Sequence, residues 1–225
     1  MTSLEVPASN SSTLKDHSNA PPTEDPPTED LGAMTGNVVR FRELRKRPIP
    51  LMFIDSILPG HQRHNFALIG DTAAENPAHS PFISTPHGFQ IGMVRARKGN
   101  GPAYHTHDYI ESFLPLKGRW RFYWGQSAEK IDGETILEEW DYVTLPAHLW
   151  RGFESIDEGE GWIFAVLEAH QVFEGKDPYW SPEVIRRARE YGFEADDRGK
   201  MVKPPHFAQL EREMLAQFGD EEVAP

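Results

Sequence analysis

Short apolar runs separated by turn residues follow one another through the middle of the chain. Their alternating or continuous apolar positions predict strands over 90–97, 111–116, 120–124, 141–145, 152–155 and 162–167. Gly, Pro and Asp stand between the runs, and the pair Asp132 and Gly133 is typical of a two-residue hairpin turn. Many short strands at this regular spacing indicate an all-β barrel or sandwich.

The apolar period changes to a helical one near the C-terminus. Ser181, Pro182 and Glu183 supply an N-cap, a Pro at the first helical position and an early acid, and Gly192 suits the C-cap. A second helix is expected over 205–218. We therefore expect a helical extension over 176–225, packed outside the barrel or across a subunit interface.

The N-terminal residues 1–36 have a different composition. They are rich in Ser, Thr, Pro, Asp and Glu, and Pro-Pro-Thr-Glu-Asp occurs twice, at 21–25 and 26–30. Such a segment buries too little apolar surface to offset its ordering entropy, so we expect a disordered tail. The barrel with a short N-terminal arm is then expected over 37–175.

Composition excludes several functional classes. The 225 residues contain no Cys, which rules out disulfides, thiolate metal sites and a cysteine nucleophile. Asp and Glu number 35 against 23 Lys and Arg, a balance that argues against nucleic-acid or anionic-membrane partners. No apolar run approaches the length of a membrane span, and the N-terminus lacks the pattern of a secretory signal. We therefore expect a cytoplasmic protein.

The chemistry of the chain is concentrated in the segment 99–118. His105 and His107 are two residues apart, so on a strand both side chains leave the same face. Glu111 follows after a short polar turn and can return to that face from the next strand. Two imidazoles and one carboxylate with open positions suit a divalent metal that also holds substrate or oxygen. The alternative is two histidines packed on a barrel wall beside a surface Glu.

The same segment resembles the first conserved motif of the cupin superfamily. The motif positions are occupied by Gly99, His105, His107, Glu111 and Gly118, with every spacing kept. The resemblance covers about residues 89–170. It implies a double-stranded β-helix barrel, usually a dimer, with a metal inside the barrel mouth. We expect iron(II) there, with manganese, nickel or zinc as alternatives, and a homodimer.

The second cupin motif is altered in this chain. Pro146 fits the pattern, but Trp140 and His148 replace its two glycines, and Arg151 stands where a fourth metal ligand is expected. A guanidinium stays protonated and cannot ligate a metal. Arg151 could instead point into the cavity and bind a carboxylate or phenolate of the substrate, or form a salt bridge at the barrel rim.

Two histidines remain as alternative fourth ligands. His148 would need an adjusted loop, because it is three positions from Arg151 and would face the opposite way on a regular strand. His170, just after the last predicted strand, is the other candidate.

Aromatic residues cluster near the motif. Trp120, Phe122 and Trp124 alternate along one strand and predict barrel core or a dimer interface. Tyr123 and Tyr104 could line a pocket for a flat aromatic ligand, and Tyr104 could transfer a proton.

These residues predict a metal-dependent oxidoreductase. We expect a dioxygenase in which His105, His107 and Glu111 hold iron(II) and Arg151 orients a small anionic or aromatic organic substrate. One alternative is a cupin lyase or isomerase in which Tyr104 or Glu111 transfers a proton. The other is a small-molecule-binding cupin without catalysis, because this fold hosts many unrelated functions.

Overall fold

The computed structural model describes residues 31–49, 52–70, 75, 80–85, 87–168, 178–197 and 199–217. The chain divides into two units, Met1–Thr35 and Gly36–Pro225. Of the tail expected over 1–36, residues 1–30 lie outside the described part, and the rest falls within a 3-10 helix, Leu31–Asn37. The second unit contains the strands.

Two five-stranded sheets form this unit. The first sheet has the order β1 (Arg63–Ile69), β2 (Phe89–Arg97), β9 (Glu160–Glu168), β4 (Glu111–Lys117) and β7 (Val143–Leu145). The second has the order β10 (Tyr179–Trp180), β3 (His105–Thr106), β8 (Trp150–Ser155), β5 (Trp120–Gly125) and β6 (Gly133–Leu137). Every pair of neighbouring strands is antiparallel. The all-β prediction with C-terminal helices is confirmed.

The aromatic face predicted on β5 forms part of the core. Trp120 and Phe122 are fully buried, and Phe122 stacks on Phe153 of β8 with 4.7 Å between ring centroids. Phe113 of β4 packs against the same Phe153 ring at 4.7 Å. The core therefore joins the two sheets through aromatic side chains, each of which removes a large apolar surface from water.

The first sheet is covered on its other face by the N-terminal arm. A short helix, α1 (Phe41–Leu44), places Phe41 against Trp162 of β9, with 5.0 Å between ring centroids. Trp162 in turn stacks on Phe66 of β1. Because β1 is buried on both faces over most of its length, alternate residues can face the barrel interior without exposing the strand.

The C-terminal helices agree with their sequence signals. In α2 (Pro182–Glu190) the Ser181 hydroxyl accepts a hydrogen bond from the Val184 backbone N–H, and Gly192 follows with φ of +84°. Helix α3 (Phe207–Gln217) packs Phe207 on Phe53 of a 3-10 helix, Phe53–Ser56. No helix in the described residues has the length and apolar character needed to cross a membrane.

Candidate metal centre

Three potential ligands converge at the start of β3 and β4. His105 lies in β3, His107 follows that strand, and Glu111 is the first residue of β4. Their ligand atoms lie within 4.8 Å of one another, and all three side chains are buried. The His107 Nε2 atom is 3.4 Å from Glu111 Oε1. The structure thus brings together the two imidazoles and the carboxylate that the motif spacing predicted, and this triad could bind a metal.

The backbone fixes the orientation of the first imidazole. His105 Nδ1 is 2.6 Å from the Ala103 carbonyl oxygen, which can only accept a hydrogen bond. Nδ1 therefore carries the proton, and Nε2 keeps its lone pair for a ligand. Burial, with the nearby His107 and Arg151, lowers the pKa of His105 well below its usual value. The ring is therefore neutral at pH 7, the form that binds metals.

The carboxylate of the triad has an unused oxygen. Glu111 Oε2 is buried and has no hydrogen-bond partner among the described residues. A buried acceptor without a donor is destabilising, and a bound cation would satisfy it. Two imidazole nitrogens and a carboxylate suit iron(II), manganese, nickel and zinc. The residues present therefore fit a divalent metal.

Arg151 lies behind the triad. The strand register places it opposite His105, and its side chain is 0% exposed. Its Nε atom is 3.7 Å from Glu111 Oε2, and Nη2 donates to the Pro146 carbonyl oxygen at 3.0 Å. Arg151 faces inward as predicted, but it is not among the described residues that line the cavity. Arg151 is packed against the back of Glu111 in this arrangement, so this ion pair is buried rather than at the rim. Its contact with substrate remains a prediction.

His148 is directed away from the triad. Its side chain is 74% exposed, and its Nδ1 atom is 3.2 Å from Asp108 Oδ1. Its backbone has φ of +63°, in the left-handed region that glycine favours, and its N–H donates to the His107 carbonyl oxygen. This turn sends the imidazole outward, so the structure does not place His148 as a fourth ligand. His170 lies outside the described residues.

Tyr104 and Tyr123 occupy the outer face of the second sheet. Their rings stack at 6.0 Å, and the Tyr104 hydroxyl donates to the Lys130 carbonyl oxygen at 3.0 Å. They line a separate pocket of about 270 Å³ together with residues of α2, including Arg187. Burial raises the pKa of Tyr123 to about 12. Both tyrosines line this pocket and not the one beside the triad, because Tyr104 precedes His105 on the chain and leaves the opposite face of the sheet. Their catalytic role remains a prediction.

The triad borders a cavity of about 60 Å³. Its walls are mostly apolar, and they include Met52, Val94, Phe113, Phe153, Leu167 and Trp180. Two further polar side chains, Arg63 and Asn65 of β1, also line it. Our sequence analysis missed both, because β1 lies in a segment broken by Pro and Gly. The signal that could have found them is their spacing, because residues two apart on a strand share one face.

Comparison with known proteins identifies only distant structural neighbours. No family model matches the sequence, and no curated protein matches it. A cupin-2 domain protein from Rhodospirillum rubrum is 14% identical, with 56% of this chain and 72% of that chain covered and a TM-score of 0.40. A cupin 2 conserved barrel domain protein from Rhodopseudomonas palustris is 11% identical, with coverages of 58% and 74% and a TM-score of 0.41.

The third neighbour is a structure of the DMSP lyases RdDddP and RnDddQII. It is 16% identical, with a TM-score of 0.41, and the match spans 53% of this chain and about half, 53%, of the lyase chain. The protein has cupin-fold structural neighbours. The protein itself has two five-stranded antiparallel sheets and a buried triad that could bind a metal. The activity named for the lyases belongs to those proteins.

Proposed function

We propose that the protein is a metal-dependent oxidoreductase of the dioxygenase type, acting on a small anionic or aromatic organic substrate. The observation that carries this proposal is the convergence of His105, His107 and Glu111 ligand atoms within 4.8 Å, beside a largely apolar cavity. Three protein ligands leave coordination positions open for small molecules. The homodimer and the cytoplasmic location remain predictions.

Each residue of the triad has a separate task in this proposal. The two imidazoles hold the cation, and the Glu111 carboxylate offsets part of its charge. Arg151 Nε lies behind the carboxylate, 3.7 Å from Glu111 Oε2. A bound iron(II) ion would supply the redox and dioxygen chemistry, which none of the twenty side chains supplies by itself. The apolar walls exclude water from the reacting groups.

The cavity favours oxidative chemistry over a lyase or isomerase reaction. Proton transfer requires a group that titrates near neutral pH within reach of the substrate. Among the described lining residues, the polar side chains outside the triad are Arg63 and Asn65, and neither acts as a base at neutral pH. Tyr104, the proton donor considered for a lyase, faces the other side of the sheet. Glu111 is the remaining carboxylate and is assigned here to the metal.

Metal analysis of the full-length protein tests the proposal. We expect near-stoichiometric iron by plasma mass spectrometry, and oxygen uptake on addition of one member of a panel of aliphatic and aromatic acids. His105→Ala should lose both, because it removes a ligand whose lone pair the Ala103 carbonyl has positioned. His148→Ala is the matched control, because it removes a surface imidazole and should keep the metal.

The other outcomes separate the alternatives. Stoichiometric metal with turnover of an acid but without oxygen consumption would replace the oxidoreductase by a lyase or isomerase. Wild-type protein that refolds fully, does not retain iron, manganese, nickel or zinc, and binds small acids would overturn the enzyme proposal in favour of a binding protein.

A further inference from the structure

A second charged residue faces the cavity beside the triad. Arg63, at the start of β1, lines the cavity, and its side chain is only 8% exposed. Its Nε atom donates to Asp55 Oδ1 at 2.9 Å. Among the residues that the structure describes, Nε is the only guanidinium nitrogen of Arg63 with a hydrogen-bond partner. The two Nη atoms, the prongs of the fork, therefore remain available to a ligand.

Asp55 holds this guanidinium in place. It is 0% exposed and lies in the 3-10 helix Phe53–Ser56. Besides Arg63 Nε, it accepts hydrogen bonds from Asn65 Nδ2 at 2.8 Å and from the Met52 backbone N–H at 3.3 Å. A carboxylate with three donors fixes both side chains of β1 that reach the cavity. An arginine fixed in this way loses little rotamer freedom when it binds an anion.

The charges around the cavity also favour an anion. Asp55 and Arg63 form one buried pair, and Glu111 and Arg151 form another, so their formal charges cancel. A divalent cation on the triad would therefore leave this buried site with a net positive charge. Buried charge is stable only when it is paired, so an anionic substrate is favoured over a neutral one.

The cavity size limits the substrate. A volume of about 60 Å³ accommodates roughly four to six water-sized groups. A short aliphatic acid suits a space of this size better than a benzoate ring with its carboxylate does. The apolar lining, including Met52 and Leu167, suits the hydrocarbon part of such an acid.

We infer that Arg63, positioned by Asp55, binds the carboxylate of a short aliphatic acid at the cavity beside the triad. Arg63 is thus a specificity-determining residue, and the substrate class is a small monocarboxylate. The planar fork of two Nη atoms matches the two carboxylate oxygens. The inference rests on the proposed function, because it places this acid next to the proposed metal.

Propionate binding to the iron-loaded full-length protein tests the inference. Calorimetry should detect propionate more strongly than propionamide, its neutral isostere, and more strongly than benzoate. Arg63→Lys keeps the charge but loses the fork, and we expect at least a tenfold weaker affinity for propionate with unchanged iron content. Arg119→Gln, which removes an exposed arginine that pairs with Asp157, should leave the affinity unchanged.

A second variant separates loss of binding from loss of folding. Asp55→Asn/Arg63→Gln neutralises both members of the pair and so leaves no buried charge without a partner, and it should also bind propionate at least tenfold more weakly. In the wild-type protein, propionate should shift the ¹⁵N signals of the Arg63 Nη atoms, and propionamide should not. Unchanged affinity in a folded variant, or unshifted Nη signals, would overturn the inference. Propionate binding through Arg63 in protein that does not retain metal would overturn the proposed function and leave this anion site standing.

Discussion

The two buried arginine–carboxylate pairs beside the cavity use the same residue types in different ways. Asp55 is fully paired, with Arg63 Nε at 2.9 Å and two further donors. Glu111 has Arg151 Nε only at 3.7 Å, and Glu111 Oε2, Arg151 Nε and Arg151 Nη1 all lack hydrogen-bond partners among the described residues. The carboxylate of the first pair is fully satisfied, whereas that of the second is half satisfied.

This difference separates a pair that stabilises the fold from a pair that is arranged to bind a ligand. A buried network stabilises a fold when every member has a partner, and it destabilises the fold when some do not. The Glu111 carboxylate turns its Oε1 toward His107, and this orientation keeps Oε2 from a short contact with Arg151. Unsatisfied groups of this kind concentrate at sites where a ligand completes the set. Asp55 therefore organises the cavity wall, and Glu111 is held ready for a cation.

The largest effect should follow from breaking the first pair. Asp55→Ala leaves the Arg63 guanidinium buried without a counter-charge, so we expect a loss of about 3–5 kcal/mol in the free energy of unfolding, measured with urea. Glu158→Ala, which breaks an exposed pair with Lys98, should cost less than about 1 kcal/mol. A loss below about 1 kcal/mol for Asp55→Ala would show that the buried Arg63 guanidinium does not need this carboxylate as its counter-charge.

A third carboxylate, that of Glu75, has no arginine among its hydrogen-bond partners in the part of the chain that the structure describes. Glu75 accepts hydrogen bonds from Trp180 Nε1 and from the Phe53 and Met201 backbone N–H groups, all of them neutral. Burial raises the pKa of Glu75 to about 7, from its ordinary 4.5. Between these two values the unfolded chain releases a proton that the folded protein keeps, so the contribution of Glu75 to stability falls as pH rises.

Glu75→Gln should remove this dependence. The free energy of unfolding of the variant, minus that of the wild type, should rise by up to roughly 3 kcal/mol between pH 4.5 and 7 and change little above pH 8. Urea unfolding of both proteins at each pH measures the difference, and contributions from other groups cancel in it. A difference that does not change with pH would mean that the three neutral donors offset the effect of burial on the pKa of Glu75.

The half-satisfied pair should respond to metal binding. Arg151→Met removes a positive charge next to a metal ligand, so the dissociation constant for zinc or iron(II) should fall about tenfold, or about 1.4 kcal/mol. Arg121→Met, on the outer-face pairs with Glu134 and Glu154, should leave it unchanged. Weaker metal binding by Arg151→Met would show instead that Arg151 positions Glu111 for the metal.

The triad could be predicted from the sequence because its spacing is local. His105, His107 and Glu111 lie within seven consecutive residues, so strand alternation and one turn determine their common face. The strands 90–97 and 120–124 were likewise apparent, because their apolar patterns are regular and close to the observed β2 and β5.

The remainder of the site depends on contacts between distant segments. Arg63 and Glu111 line one cavity only after the strands have paired in the order of the first sheet, which no local pattern specifies. The sequence left the directions of the His148 and Arg151 side chains open, because a single backbone angle determines them. The φ of +63° at His148 turns its imidazole to the surface and lets β8 carry Arg151 inward.

The smallest effects on stability and binding are expected for substitutions on the outer face of the second sheet. Tyr104 is adjacent to His105 but stacks on Tyr123, away from both arginine pairs. Tyr104→Phe removes the hydroxyl that donates to the Lys130 carbonyl, so the free energy of unfolding should fall by about 1 kcal/mol or less. Tyr123→Phe should cost no more than that.

Metal content and propionate affinity in both tyrosine variants should stay within twofold of the wild type, because neither hydroxyl reaches the cavity. Plasma mass spectrometry and calorimetry measure the two quantities, and His105→Ala provides the contrast on the adjacent residue. A tenfold loss of propionate affinity in Tyr104→Phe would show that a residue on the outer face of the sheet affects the cavity. Such a loss would also support the role in proton transfer or substrate binding that the sequence predicts for Tyr104.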